Sequence, residues 1–86
     1  MHYRIDINVE ELNIVELNEF LKENTKFIRR WENLCNKHTR YELAMEKAGK
    51  SITNAAKKDS RMAWNIYDSL KTHRNKIKQE IFTRVI

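Results

Sequence analysis

The 86-residue chain contains no proline, one glycine and one cysteine. Turns and β-sheets rely on proline and glycine for their backbone angles, whereas long helices need neither, so the fold is predicted to be all-α. The single cysteine, Cys35, cannot form an internal disulfide, which is typical of a reducing compartment. A run of about 18 apolar residues, as a membrane-spanning helix requires, is also missing. We therefore expect a cytoplasmic protein with no membrane segment.

Charged residues make up 34% of the chain and hydrophobic residues 41%, a mixture typical of helices with one apolar stripe and solvated outer faces. The net charge of +5 is compatible with an anionic partner but does not establish one. Because a chain this short buries only about 60% of its unfolded surface, we expect a thin core that homo-oligomerisation into a helical bundle completes. The abundance of Asn, Lys and Ile suits an AT-rich genome, such as many phages carry.

Apolar and polar residues alternate at the N-terminus, where the apolar positions are Tyr3, Ile5, Ile7 and Val9. This alternation predicts a short extended arm over residues 1–8. Asn8 and Glu11 have the spacing of a capping box, which predicts a first, acidic helix over residues 9–23. One side of that helix carries Glu16, Glu19 and Glu23.

A second helix is predicted over residues 25–48, capped by Asn24 or Thr25. Its apolar residues follow alternating steps of four and three: Phe27, Trp31, Leu34, His38, Tyr41, Met45 and Ala48. Such steps form the core seam of a coiled coil or bundle helix, since they keep one stripe facing one partner helix.

Gly49 and Ser51 suit a helix C-terminus and the cap of the next helix, so they predict a turn. A third, long helix is then predicted over residues 52–84, and its apolar stripe is Ile52, Ala55, Ala56, Ala63, Ile66, Leu70, Ile77 and Ile81. The alternative is one helix that continues through Gly49 at a cost of about 1 kcal/mol. We favour a single domain over residues 1–86 with a short N-terminal extended segment, one short helix and a long antiparallel helical hairpin.

Asp59 lies in the middle of the third helix's stripe, where a buried carboxylate without a partner would be unfavourable. In a hairpin, Asp59 would lie near the level of His38 and Tyr41. We expect it to pair with one of them as a structural contact that fixes the register of the helices. The alternative is a pH-sensitive switch that uses His38.

Catalytic and metal-binding signals are weak in this sequence. Its three histidines are far apart, and no Cys or His pair has the spacing of metal ligands. Cys35 and His38 could touch on one helix, but no third group to orient them is evident. Gly49-Lys50-Ser51 resembles the end of a phosphate-binding loop, but Ala44 stands where that motif requires glycine. We expect no enzyme activity, no cofactor and no metal.

At about 100° per residue, the cations of the second helix fall on one flank: Lys26, Arg29, Arg30, Lys37, Arg40 and Lys47. The acids Glu32, Glu42 and Glu46 fall on the opposite flank. A line of cations can neutralise nucleic-acid phosphates without reading base sequence. The alternative is pairing within the protein or between subunits, because residues 1–23 hold six acids and two cations and could lie against the basic flank.

Trp64 lies off the apolar stripe of the third helix, among Lys57 and Arg61, and Phe82 shares its side. Large aromatics on a polar face usually mark an interface, so the predicted interface residues are Trp31, Tyr41, Trp64 and Phe82. The first functional hypothesis is a small accessory protein that binds nucleic acid through phosphates, using the basic flank, with Lys57, Arg61 and Trp64 as secondary contacts. Under this hypothesis Trp64 stacks on a base. The alternative is an adaptor or inhibitor that binds a larger protein complex through its aromatic helix faces.

Overall fold

The computed structural model describes residues 7–85 and shows a helical hairpin within them. A short 3-10 turn, Val9–Glu11, precedes two long helices, α1 (Ile14–Lys47) and α2 (Asn54–Val85). The hairpin is slender, about 55 Å long and 20 Å wide. The predicted all-α fold is confirmed. Most of the arm predicted over residues 1–8, including Tyr3 and Ile5, lies outside the described residues, and Val9 belongs to the 3-10 turn.

The helices predicted over residues 9–23 and 25–48 are a single helix, so the predicted break before residue 25 is wrong. Asn24, expected as a cap, is buried and donates a hydrogen bond from Nδ2 to the carbonyl oxygen of Leu70 on α2, 3.2 Å away. The Thr25 hydroxyl donates to the carbonyl oxygen of Leu21, 3.0 Å away and one turn earlier. Both polar side chains find partners without interrupting the backbone, and α1 therefore continues past them.

The helix start also differs from the prediction. The capping-box spacing of Asn8 and Glu11 recurs at Asn13 and Glu16, and this second pair is the box that opens α1. The Glu16 backbone N–H donates to Asn13 Oδ1 at 2.8 Å, and the Asn13 N–H donates to Glu16 Oε1 at 3.1 Å. Asn8 caps only the 3-10 turn, which ends where Leu12 returns to an extended conformation.

The turn at Gly49 is confirmed, and the continuous helix is excluded. Gly49 has a φ of 68°, and the N–H groups of Gly49 and Lys50 donate to the carbonyl oxygens of Glu46 and Met45. This pair of hydrogen bonds is the Schellman motif, which ends a helix with a residue in the left-handed region. α2 is capped by Thr53 rather than by Ser51, since the Thr53 hydroxyl accepts from the Ala56 N–H at 3.2 Å.

The seam by which α1 faces α2 is rotated from the predicted one. Its buried and half-buried residues are Leu17, Leu21, Asn24, Ile28, Trp31, Cys35, His38, Glu42 and Met45. They also follow steps of four and three, and Trp31, His38 and Met45 belong to both seams. Leu34 and Tyr41, which were predicted in the core, are exposed.

The residues of α2 that are buried are Ser60, Ala63, Leu70, His73 and Ile77. Asp59 is exposed, and within residues 7–85 no ion pair or hydrogen bond joins it to His38 or Tyr41, so the predicted buried pair is wrong. Ser60 takes the inward position instead. A small hydroxyl is less costly to bury than a carboxylate, and its size allows the two helices to approach closely.

Arg84 attaches the N-terminal turn to the end of α2. Its guanidinium donates to the carbonyl oxygens of Val9, Glu10 and Leu12, and its Nε pairs with Glu80 at 2.9 Å. A planar guanidinium offers five N–H donors, and here several of them bind carbonyl oxygens of this short turn.

His73 is 5% exposed, and its ring packs edge-on against the Phe20 ring with the centroids 5.3 Å apart. Burial, together with the nearby Lys76 ammonium, lowers the pKa of His73 below its usual value of 6.5. Glu10 and Glu80 line the same cleft as His73 and Lys76. The folded protein therefore binds this proton less tightly than the unfolded chain does.

The stability that neutral His73 contributes is accordingly complete above about pH 6.5 and is lost as the pH falls from there through the lowered pKa. We expect the urea midpoint of unfolding to decrease between about pH 7 and pH 5. His73→Gln should flatten this profile. A wild-type midpoint that does not change over this range would contradict the prediction.

Candidate functional site

Six cations of α1 lie on the side of the helix that faces away from α2, and all of them are exposed. This basic face consists of Lys26, Arg29, Arg30, Lys37, Arg40 and Lys47. At about 1.5 Å per residue, it extends over about 32 Å of the helix. The structure thus brings together the six cations that the sequence placed on one flank.

Lys57 and Arg61, also predicted to bind nucleic acid, are exposed but lie on α2. Lys57 lines a groove with Thr39, Glu42 and Glu46, on the acidic flank of α1. Because the basic face is turned away from α2, these two residues do not belong to it.

The cations of the basic face have few acidic partners. Lys26 pairs with Glu23 at 3.5 Å, and its side chain remains 73% exposed. Within residues 7–85, none of the other five cations is in an ion pair. The alternative that an acidic first helix covers this flank is wrong for a single chain, since Glu16, Glu19 and Glu23 lie earlier along the same helix and cannot fold back over it.

A line of apolar residues adjoins the basic face. Phe27, Leu34 and Tyr41 are spaced by seven residues and therefore lie one above another on the helix. The Arg30 guanidinium lies 5.3 Å from the centre of the Phe27 ring, so the cations and this apolar column are in contact. Tyr41 is 46% exposed. Between residues 26 and 47, the acids of α1 are Glu32, Glu42 and Glu46, all away from this surface.

The four predicted interface residues occupy different places. Trp31 is half-buried in the core seam, and Tyr41 belongs to the apolar column. Trp64 and Phe82 are exposed on α2, by 40% and 66%. The Trp64 ring meets the Tyr67 ring edge-on with the centroids 5.8 Å apart, and the Lys71 ammonium lies 5.0 Å from the centre of the Tyr67 ring.

Cys35 lies in the core seam and is 1% exposed. Burial raises the pKa of its thiol, and the carboxylates of Asp68 and Glu32 raise it further. The reactive thiolate is therefore disfavoured, which argues against a nucleophilic pair with His38. Within the described part of the chain, no group of three His, Cys, Asp or Glu side chains could hold a metal ion, and neither long helix is apolar enough to cross a membrane.

The sequence prediction did not separate the apolar column from the core seam, although it named Tyr41 as an interface residue as well. The column's seven-residue spacing was the available signal, but that spacing was attributed to the core seam. No protein-family model, no curated protein and no solved structure matches this chain.

Proposed function

We propose that this chain is a non-enzymatic accessory protein that binds nucleic acid through backbone phosphates, with little sequence specificity. One observation carries the proposal: the basic face is a continuous line of exposed cations, five of which form no ion pair within residues 7–85. Duplex DNA carries about one phosphate charge per 1.7 Å of its axis, so a face about 32 Å long can contact many phosphates.

The composition of the face also suits phosphates. Arginine offers a planar fork that can bind a phosphate oxygen pair, and lysine offers a flexible point charge. Two amide side chains, the typical readers of adenine edges, lie within or beside the face, Asn33 and Asn36, and the six cations outnumber them. Contacts of this kind position a backbone and carry no base sequence information.

Salt dependence tests the proposal directly. We expect a labelled oligonucleotide to bind, as measured by its fluorescence anisotropy, and the binding to weaken steeply as the salt concentration rises. If all six cations contact phosphates, the plot of log K against log salt concentration should have a slope of about −4 to −5. Release of condensed counterions produces this slope. The measurement is a titration at several salt concentrations between about 50 and 200 mM. Absence of binding at the lowest salt would remove the proposal.

A second candidate is an adaptor or inhibitor that binds a protein, either a larger complex or a second copy of this chain. Large apolar side chains exposed outside the basic face support it, namely Val15, Trp64, Phe82 and Val85. Bulky aromatic residues on polar faces usually anchor protein interfaces. Under this candidate, Trp64→Ala weakens complex formation or self-association and leaves oligonucleotide binding unchanged.

A further inference from the structure

The basic face and the apolar column require different chemistry from a ligand. Cations favour an anionic backbone, and an exposed aromatic ring favours a flat apolar group. We infer that the nucleic acid bound by α1 is single-stranded and that one of its bases stacks on the Tyr41 ring. This inference rests on the proposed function and names its substrate class.

Tyr41 is the member of the apolar column best placed to receive a base. Its ring is 46% exposed and makes no ring contact or hydrogen bond within residues 7–85. Lys37 lies one turn before it and Arg40 lies beside it in the chain, and both are exposed. A phosphate held by these two cations therefore brings the base of the same or the next nucleotide within reach of the Tyr41 ring.

The contact between Arg30 and Phe27 shows how closely the two surfaces adjoin. A planar cation lies 5.3 Å from the centre of that ring, so this column accepts a flat, charged group on an aromatic face. Tyr41 stands two heptads further along the same column. Leu34, between them, is exposed and extends the apolar contact.

We expect a duplex to contact less of this surface than a single strand does. Paired bases are stacked on one another and present only their edges in the grooves, so their faces cannot meet a tyrosine ring. Binding a duplex through the cations alone would leave Tyr41 and Leu34 against phosphates or water. A single strand can turn its bases outward and cover both residues while its phosphates remain on the cations.

Trp64 is the alternative aromatic and has comparable exposure. Its ring already meets Tyr67 edge-on, and Asp68 follows it by one helical turn, which places a carboxylate near any approaching phosphate. Trp64 also lies on α2, whereas the basic face is turned away from that helix. It therefore provides a matched control for Tyr41.

The test compares two forms of nucleic acid and three variants. Affinities are measured by anisotropy for a labelled oligothymidine of about 12 nucleotides, within the range of known single-strand site sizes, and for a duplex of equal length. We expect the wild type to prefer the single strand. Tyr41→Ala should weaken single-strand binding by about 5- to 150-fold, the usual range for loss of one stacked base, and should leave duplex binding unchanged. Tyr41→Phe and Trp64→Ala should keep wild-type affinity.

A 2-aminopurine base in the oligonucleotide gives a second readout, because stacking quenches its fluorescence. Quenching should occur with the wild type and Tyr41→Phe and be reduced with Tyr41→Ala, whose helical content is checked by circular dichroism. Equal affinity for duplex and single strand, or a loss with Trp64→Ala in place of Tyr41→Ala, would overturn the inference and leave the proposed function standing. Absence of binding to both forms at low salt would remove both.

Discussion

Leu17→Ala is expected to lower the free energy of unfolding by about 2–5 kcal/mol, as is typical when a fully buried leucine is truncated. Leu17 and Ile77 are both completely buried. The hydrogen bond from Asn24 to Leu70 reports the antiparallel register. Leu17 lies one heptad before Asn24 and Ile77 lies one heptad after Leu70, so this register places Leu17 and Ile77 at the same level. The alanine would leave a cavity that two rigid helices cannot close.

The effect is large because the core is small. Among the described residues, six buried hydrophobic residues form it: Leu17, Ile28, Cys35, Ala63, Leu70 and Ile77. Two of these, Cys35 and Ala63, contribute little apolar area. At about 0.05–0.15 kcal/mol per residue, a chain of this length has a total stability of about 4–13 kcal/mol, so one cavity removes a large share of it.

Urea unfolding followed by circular dichroism measures this change. Leu43→Ala provides the control, since Leu43 is on the same helix but 53% exposed, and it should alter the free energy of unfolding by less than about 0.5 kcal/mol. Equal losses for the two variants would mean that α1 and α2 do not pack through the seam described above.

The helical hairpin was predictable from the sequence, since no proline interrupts either helix and Gly49, the one glycine, is suited to a left-handed turn. The continuity of α1 was not predictable in the same way. Asn24 can cap a helix or occupy a core seam, and its local sequence is compatible with both. The hydrogen bond from Asn24 to the Leu70 carbonyl oxygen on α2 favours the position in the seam, and only the folded hairpin brings these two groups within hydrogen-bonding distance.

The orientation of α1 was ambiguous for a related reason. Two possible seams on α1 follow the same alternating steps of four and three residues and share Trp31, His38 and Met45. The first seam adds Phe27, Leu34 and Tyr41. The second adds Ile28, Cys35 and Glu42. Apolarity favours the first set, and the structure uses the second. The small residues of α2, Ser60 and Ala63, allow close approach of the helices where bulky side chains would be excluded.

This choice of seam also determines which residues lie beside the basic face. Once Cys35 and its neighbours form the core, Leu34 and Tyr41 are left beside the basic face. The cations themselves were predictable from their spacing, because charge patterns on a helix depend only on its period. The position of an exposed aromatic ring beside these cations was not predictable, because it depends on which residues of α1 are covered by α2.

Replacement of two cations on the basic face should strongly weaken nucleic-acid binding. We expect Lys37→Gln with Arg40→Gln to weaken oligonucleotide binding by at least about tenfold at low salt and to reduce the magnitude of the salt slope by about two. Because each residue is expected to neutralise one phosphate, the loss should be similar for different base sequences. Both side chains are exposed, and the stability of the hairpin should not change by more than about 0.5 kcal/mol.

The control variant must carry the same charge change on another surface. Lys58→Gln with Lys76→Gln also removes two positive charges, and both residues are exposed on α2. If the basic face is the binding surface, this variant should keep its affinity within about threefold and its salt slope within about one unit of the wild type, because distant charges act only through a screened field. Equal weakening by the two variants would show that net charge, rather than the line of cations on α1, attracts the nucleic acid. If the nucleic acid instead binds to the Trp64 side of α2, the variant at Lys37 and Arg40 should bind it as tightly as the control variant does, because those two residues face away from α2. That result would contradict the proposal.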